Sequence, residues 1–354
     1  MNYAGRIRRL QAEIQQPLLI TDLINIRYLT GFTGSSAFLY LSPKGGTFLT
    51  DGRYGEVAGG IVSELPGIEL DIYSSGLLDR LATAIESASE VGLEATNVTW
   101  DFVHKLRDKT TAKLTATKGV VEAHRRVKDA DEVEALRKAA AAGDLAFSEL
   151  DALVMASLTE GELGDGLVAT MRAAGAEQAG WPPIVAVGPN AARPHHRSGG
   201  GSLAEAGLLL LDYGCVVDGY HSDMSRTTLV GSADDPEIEM VHAAVLESNE
   251  AGVAAVGPGV IAGDVDAICR EVLSRHGYED YFVHSTGHGV GLEIHEGPWV
   301  RKGSTDVLEP GNVVTIEPGV YLPGRFGVRI EDMVHVTEGG QEVLTLSSKE
   351  LRPE

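Results

Sequence analysis

A chain of 354 residues with 43% apolar side chains can bury more than one core, and two domains are its natural division. Its 51 acidic against 29 basic residues, a formal net charge of −22, argue against nucleic acid as a partner, which requires basic patches that neutralise phosphates. No stretch approaches the roughly 20 apolar residues of a membrane span, and the opening M-N-Y-A-G-R-I-R-R-L carries charge with no apolar region after it, so cytoplasmic residence is the expectation.

Residues 1–124 read as short strands alternating with helices. P-L-L-I-T-D at 17–22, A-F-L-Y-L at 37–41, G-T-F-L-T at 46–50, I-E-L-D-I-Y at 68–73 and V-G-L-E at 91–94 predict strands, and the spacing near Glu56–Leu65, Leu77–Ser87 and Trp100–Leu106 predicts helices. This is an α/β domain without a nucleotide fingerprint: no G-x-G-x-x-G follows a strand, and no G-x-x-x-x-G-K-[ST] occurs. A second domain, 125–354, opens with a helix near Lys128, where Asp129 and Glu132 form a capping-box pattern ahead of Val133, Leu136 and Ala140. Thr159 and Glu162 announce another helix, carrying Leu163, Leu167 and Met171 and stopped by Gly175. Asp235-Pro236 start a third ahead of Ile238, Val241, Ala244 and Val245, and a fourth covers Val265 to Leu273 and ends near Gly277. Strands between these helices, with the helices outside them, make the second domain α+β.

The strands carry the chemistry. Asp212 and Asp223 lie in L-L-L-L-D-Y-G-C-V-V-D-G-Y-H-S-D, His288 in S-T-G-H-G-V-G, Glu317 in T-I-E-P-G and Glu331 in V-R-I-E-D. A single aspartate at the end of an apolar run is ordinarily a turn or cap residue. Five such residues in apolar, β-rich sequence beside glycine call for one explanation, because a buried carboxylate is costly unless a cation or strong hydrogen bonds satisfy it. Four carboxylates and one imidazole suit two divalent ions such as Mn²⁺, Co²⁺ or Zn²⁺.

In this order and spacing the five motifs resemble the pita-bread metallopeptidases, specifically their proline-specific branch of Xaa-Pro dipeptidases (prolidases) and aminopeptidases P. The first third is similar to the creatinase-type N-terminal domain of that branch, so the resemblance spans nearly the whole chain. It implies a C-terminal pita-bread fold in which Asp212 binds one metal, His288 and Glu317 the other, and Asp223 and Glu331 bridge both. It also implies that His195, His284 and His295 surround the metals and bind the scissile carbonyl and the developing oxyanion, whereas His196 has no match. Glu317 is implied to move a proton from water to the leaving nitrogen. A homodimer acting on small peptides with proline in second position follows from the same resemblance.

Other residues are read from position. Arg329, two residues before Glu331, shares its strand face and is placed to orient the bridging carboxylates through hydrogen bonds. Tyr220 is either a donor beside the bridging solvent or a core residue, and Tyr220, Trp299 and Phe326 are candidate walls for a prolyl ring. Arg197, Arg301 and Arg325 are candidates to bind a substrate carboxylate, none decisive. His295-Glu296 is not a zincin motif, because position 299 is Trp299 rather than histidine. No G-x-S-x-G elbow occurs, and Cys215 and Cys269 imply neither a disulfide framework nor an activated thiol. The expected activity is hydrolysis of Xaa-Pro bonds, with compact length favouring a dipeptidase; the alternatives are aminopeptidase P and a non-catalytic peptide-binding homologue.

Overall fold

The computed structural model describes every residue except Ala206, 232–234 and 352–354. The chain divides into two compact units, Met1–Arg125 and Arg126–Glu354. In the first unit β1 (Leu18–Ile20), β2 (Ala37–Ser42), β3 (Gly45–Asp51), β4 (Ile68–Tyr73), β5 (Glu90–Glu94) and β6 (Lys113–Thr117) form one sheet in the order β4-β3-β2-β1-β5-β6. Its helices are α1 (Tyr3–Glu13), α2 (Leu23–Thr30), α3 (Gly55–Ser63), α4 (Leu77–Ile85), α5 (Trp100–Arg107) and α6 (Val120–Arg125). Of these, α1, α2, α6 and β6 lie outside the elements that hydrophobic period suggests. The run in α2, L-I-N-I-R-Y-L-T, is rich in β-branched and aromatic residues and reads poorly as a helix. It forms one because the Asp22 side chain caps the Ile24 amide and Gly31, at φ 78°, ends it in the left-handed region.

The second unit contains α7 (Ala130–Ser148), α8 (Leu150–Ala156), α9 (Glu160–Ala173), α10 (Glu237–Ala255) and α11 (Ala262–Arg275). Both expected capping boxes are present: Asp129 with Glu132 on α7, and Thr159 with Glu162 on α9. Its strands are β7 (Gln178–Ala179), β8 (Ile184–Val187), β9 (Leu208–Tyr213), β10 (Cys215–Val217), β11 (Tyr220–His221), β12 (Met224–Leu229), β13 (Gly287–Gly289), β14 (Glu296–Val300), β15 (Val313–Ile316), β16 (Gly319–Leu322), β17 (Phe326–Arg329), β18 (Asp332–Thr337) and β19 (Gly340–Val343). They build a β12-β9-β8 sheet, a β14-β13-β15-β18-β19 sheet, a small β11-β10-β7 sheet and a β16-β17 hairpin.

Strand alternation decides which residues face the helices. On β9, Leu209, Leu211 and Tyr213 pack into one core with Leu163, Leu167 and Met171 of α9 and with the alanines of α7, which turns Leu210 and Asp212 to the opposite face. On β15, Val314 and Ile316 pack with Val253, Val265 and Cys269 of α10 and α11, which leaves Thr315 and the following Glu317 on the other side. Phe326, Val328 and Ile330 pack with Val241 and Val245 of α10, so Arg329 and Glu331 face away from that core. The same parity corrects one expectation. Phe326 is 2% exposed on the core face, an odd number of residues from Arg329, and lines no substrate pocket.

Candidate metal centre

The face left free by this alternation carries the five candidate ligands. Asp212 comes from β9, Asp223 immediately precedes β12, His288 lies in β13, Glu317 follows β15, and Glu331 joins β17 to β18. The G-H-G sequence of β13 is dictated by crowding. A Cβ on Gly287 would lie 1.8 Å from the Thr315 carbonyl oxygen, and one on Gly289 would lie 2.3 Å from that of Gly297. Only glycines let the strand bring His288 between β14 and β15 at this distance.

Donor atoms of Asp223, His288 and Glu331 all lie within 4.8 Å of one another. His288 Nε2 is 3.6 Å from Asp223 Oδ2 and 3.5 Å from Glu317 Oε1, too far for normal hydrogen bonds. His288 Nδ1 is 3.0 Å from the Gly289 carbonyl, an acceptor, so Nδ1 carries the proton and the Nε2 lone pair faces the carboxylates. Burial holds this imidazole neutral, down to about 4. Asp223 and Glu317 are raised well above the usual carboxylate range, by burial first and then by Glu331 and the other acids. Glu331 is raised to about 7 by burial and by Asp212, and burial also raises Asp212. Four acids that raise one another, with one imidazole lone pair aimed at Asp223 and Glu317, form a donor set that fits divalent cations.

Arg329 faces the cluster through a fan of hydrogen bonds: Nη2 to Asp212 Oδ2 at 2.5 Å, Nη1 to the Tyr321 hydroxyl at 2.8 Å and Nε to the Ser225 hydroxyl at 2.8 Å. Ser225 in turn donates to Glu331 Oε2 at 2.7 Å. Arg329 thus touches Asp212 and reaches Glu331 through Ser225. Ser225 and Tyr321 were missed by sequence reasoning. Period two offered the signal, since Ser225 is two residues past Asp223 and Tyr321 four past Glu317.

The histidines divide. His195 and His295 are exposed at the edge of a cleft of about 400 Å³, which the metal-ligand candidates and Trp181, Ile184 and Trp299 also line. The His295 ring meets that of His288 edge-on at 4.3 Å, and behind it Glu296 pairs with the buried Lys128 amine at 2.8 Å. Both ring nitrogens of His284 have partners at 2.8 Å. Nδ1 donates to the Ser285 carbonyl and Nε2 accepts from the Tyr321 hydroxyl, which accepts from Arg329. Burial and Arg329 hold it neutral, down to about 3. Its backbone is clamped from α11: Arg270 donates to the His284 carbonyl at 2.6 Å and pairs with Asp266, which accepts from the Thr286 hydroxyl at 2.8 Å. Thr286 passes this order on, its carbonyl accepting the Glu317 amide at 2.7 Å.

Other candidates lie elsewhere. Tyr220 is buried and donates to Glu132 of α7 at 2.7 Å, so it is no donor beside the metals. Arg325 is held by Asp235 and Glu237, Arg301 lies over the Trp299 ring, and Arg197 is exposed; none of the three lines the cleft. Cys215 and Cys269 are buried, and burial raises both thiols, Cys269 to about 12. Among the described residues no helix is long and apolar enough to cross a membrane.

Residues 134–338 match metallopeptidase family M24, and residues 6–127 match the creatinase/prolidase N-terminal domain. The chain belongs to metallopeptidase family M24. Its two parts are a creatinase-type N-terminal domain and an M24 domain of pita-bread fold. It is 34% identical to a Xaa-Pro dipeptidase from Bacillus anthracis, covering 99% of each chain with a TM-score of 0.92. It is 30% identical to an X-Pro aminopeptidase from Thermotoga maritima, covering 97% of this chain and 99% of that one with a TM-score of 0.87. The Xaa-Pro dipeptidase of Pyrococcus furiosus is 35% identical over 274 residues, 77% of this chain and 78% of that protein.

Proposed function

We propose that this M24 peptidase is a Xaa-Pro dipeptidase, a prolidase, working with two divalent ions held by Asp212, Asp223, His288, Glu317 and Glu331. The observation that carries the reading is the clustering of the Asp223 and Glu331 carboxylates with His288, beside the half-buried Asp212 and Glu317, in a chain aligned end to end with a Xaa-Pro dipeptidase. When ions are bound, Asp223 and Glu331 would serve both, Asp212 one, and His288 and Glu317 the other. When bound, such ions polarise the scissile carbonyl and make water acidic enough to attack near neutral pH. Mn²⁺ is the proposed native ion, with Co²⁺ or Zn²⁺ as alternatives; a homodimer is proposed on resemblance and cytoplasmic residence on the charged, span-free sequence.

The remaining roles fall to this chain's own groups. Glu317, half-buried beside the cleft, takes the proton of the attacking water on a carboxylate oxygen and delivers it to the prolyl nitrogen, which must be protonated to leave. His195 and His295 donate N–H to the carbonyl oxygen as it gains charge. His284 serves instead as an anchor: its bonds to Tyr321 and Ser285 hold the segment whose Thr286 carbonyl fixes the Glu317 backbone. Arg329 orients Asp212 directly and Glu331 through Ser225. Trp181, Ile184 and Trp299 provide apolar surface for a prolyl ring, which offers no N–H to satisfy.

Aminopeptidase P is the second reading, supported by the Thermotoga likeness and by the engagement of Arg329, the arginine of the cleft, with Asp212 rather than with an approaching carboxylate. Assays of Ala-Pro, Ala-Pro-Ala and a longer Xaa-Pro peptide with defined metals separate the two. A dipeptidase cleaves the first at least about ten times better than the others, and better than Ala-Ala by a similar factor, about 1.4 kcal/mol of transition-state discrimination. Preference for the longer peptides would shift the assignment to aminopeptidase P, and equal rates on Ala-Pro and Ala-Ala would remove proline specificity altogether.

A further inference from the structure

The second histidine of P-H-H-R has a partner that its sequence did not disclose. His195 and His196 lie in the segment between β8 and β9, and they part: His195 is exposed at the cleft while His196 turns inward. Its target is Glu160, the first residue of α9, which is 1% exposed. Glu160 Oε1 accepts from the Val187 amide at 3.0 Å and Asn190 Nδ2 at 2.7 Å. Its Oε2 accepts from His196 Nε2 at 2.9 Å and the Gly199 amide at 3.3 Å. One buried carboxylate thus gathers four donors spread over thirteen residues of a single segment, and these bonds outweigh burial to hold its carboxyl below the usual range.

The backbone reinforces the junction. The Glu160 amide donates to the Gly201 carbonyl at 2.9 Å and the Gly161 amide to that of Gly199 at 3.0 Å. Gly201 is needed there, since a Cβ would lie 2.4 Å from the Glu160 carboxyl carbon. The 188–201 segment has little regular structure of its own beyond a 3₁₀ turn at Gly188–Ala192, so its course depends on these anchors. Adjacent side chains on such a path diverge, and drawing His196 onto Glu160 sends His195 the other way.

We propose that Glu160 and His196 are positioning residues, which hold the segment so that the His195 imidazole stands at the cleft ready to donate to the scissile carbonyl. The inference rests on the proposed role of His195 in Xaa-Pro hydrolysis. Misplacing a catalytic group by about 1 Å can cost on the order of 10²-fold in rate, and loss of a group that orients a ligand or donor costs about 10–100-fold. A residue acting only through His195 has nothing left to lose once His195 is gone, which sets it apart from one that merely stabilises the fold.

The test compares His196→Ala, His196→Gln and Glu160→Gln in the full-length Mn²⁺-loaded enzyme, with and without His195→Ala, by kcat and KM on Ala-Pro, metal content and thermal melting. His196→Ala should lower kcat about 10–100-fold with metal content unchanged. His196→Gln, whose amide can replace the Nε2–H donor, should recover to within about three-fold of the parent. In the His195→Ala background, His196→Ala should cost less than about two-fold more. Equal losses with and without His195, or a lower melting temperature with kcat intact, would overturn the proposal. Hydrogen-exchange mass spectrometry of peptides covering 185–201 reads the anchoring itself: protection should fall in His196→Ala and Glu160→Gln and return in His196→Gln. Unchanged protection refutes the anchoring whatever the peptides show. If instead exchange behaves as expected and the parent cleaves no Xaa-Pro peptide, it is the reading of the activity that fails.

Discussion

Glu331 and Asp332 are neighbours in sequence, both buried carboxylates, yet they stand on opposite sides of one strand in opposite electrostatic conditions. Asp332 points with Val334 and Val336 toward the core, where Arg226 Nη2 meets Oδ1 at 2.8 Å, Lys349 Nζ meets Oδ2 at 2.8 Å and the Thr345 hydroxyl donates to Oδ1 at 3.0 Å. Burial pushes its carboxyl up, but Arg226 and Lys349 outweigh burial and hold it below the usual range. Glu331 points the other way into three further acids, receives one hydroxyl bond from Ser225, and is raised to about 7. A buried carboxylate supplied with cations by the chain is a structural member. A group of buried carboxylates left short of positive charge is built to receive it from outside, and the two kinds are told apart by partners rather than by burial.

The largest expected effect lies on the binding side of this contrast. Chelation should abolish peptidase activity, and Mn²⁺ or Co²⁺ should restore it; full turnover by metal-free enzyme would refute the metal-dependent reading. Asp223→Asn should lose metal and drop activity to background, yet the metal-free variant should melt no lower than the metal-free parent, because one of four repelling charges has gone. Asp332→Asn should do the reverse. It keeps the shape of the side chain while weakening the fully buried Arg226–Asp332 pair, and breaking a buried pair costs about 3–5 kcal/mol, roughly 6–20 °C of melting temperature for a domain of this size. If both variants lowered the metal-free melt equally, the distinction between the two acids would collapse.

Ser225→Ala sharpens the comparison more gently. It removes the hydroxyl that links Arg329 to Glu331 and leaves all five candidate ligands in place. Metal affinity or kcat should fall about 10–100-fold, the usual cost of losing a group that orients a ligand. No change in either quantity would show that Arg329 does not act on Glu331 by this route.

Which of these features were legible in advance follows from how local they are. The ligand motifs and the two capping boxes are short-range patterns: both boxes form, and donor atoms of three ligand candidates, Asp223, His288 and Glu331, lie within 4.8 Å of one another. Strand parity is equally local. It correctly pairs Arg329 with Glu331, and applied one step further it would have removed Phe326 from the pocket. Contacts across long separations were not legible. Tyr220 finds Glu132 at a distance of 88 residues, Ser225 finds Glu331 at 106, and His196 finds Glu160 at 36, and nothing in the sequence near either partner announces the pairing. The engagement of His284 Nε2 was hidden for the same reason, since Tyr321 arrives from the β16-β17 hairpin.

The smallest expected effect tests a third way of burying an ionisable group. His242 on α10 is 5% exposed, and its Nε2 lies buried without a hydrogen-bond partner among the described residues. Neither a cation trap nor an ion pair, it stays folded by remaining neutral, and burial pulls it down to about 4. Below its ordinary value of 6.5 the unfolded chain takes up the proton and the folded one does not, so stability falls as pH drops from 6.5 toward 4. Between pH 7 and pH 5 this one group should cost about 2 kcal/mol. The carboxylates add their own pH dependence to both proteins, so the informative quantity is the difference from His242→Gln. Chemical denaturation at the two pH values should show a drop smaller in the variant by about that amount. An identical drop in both would mean that His242 is protonated in the folded protein, and that its place in α10 is less dry than its burial indicates.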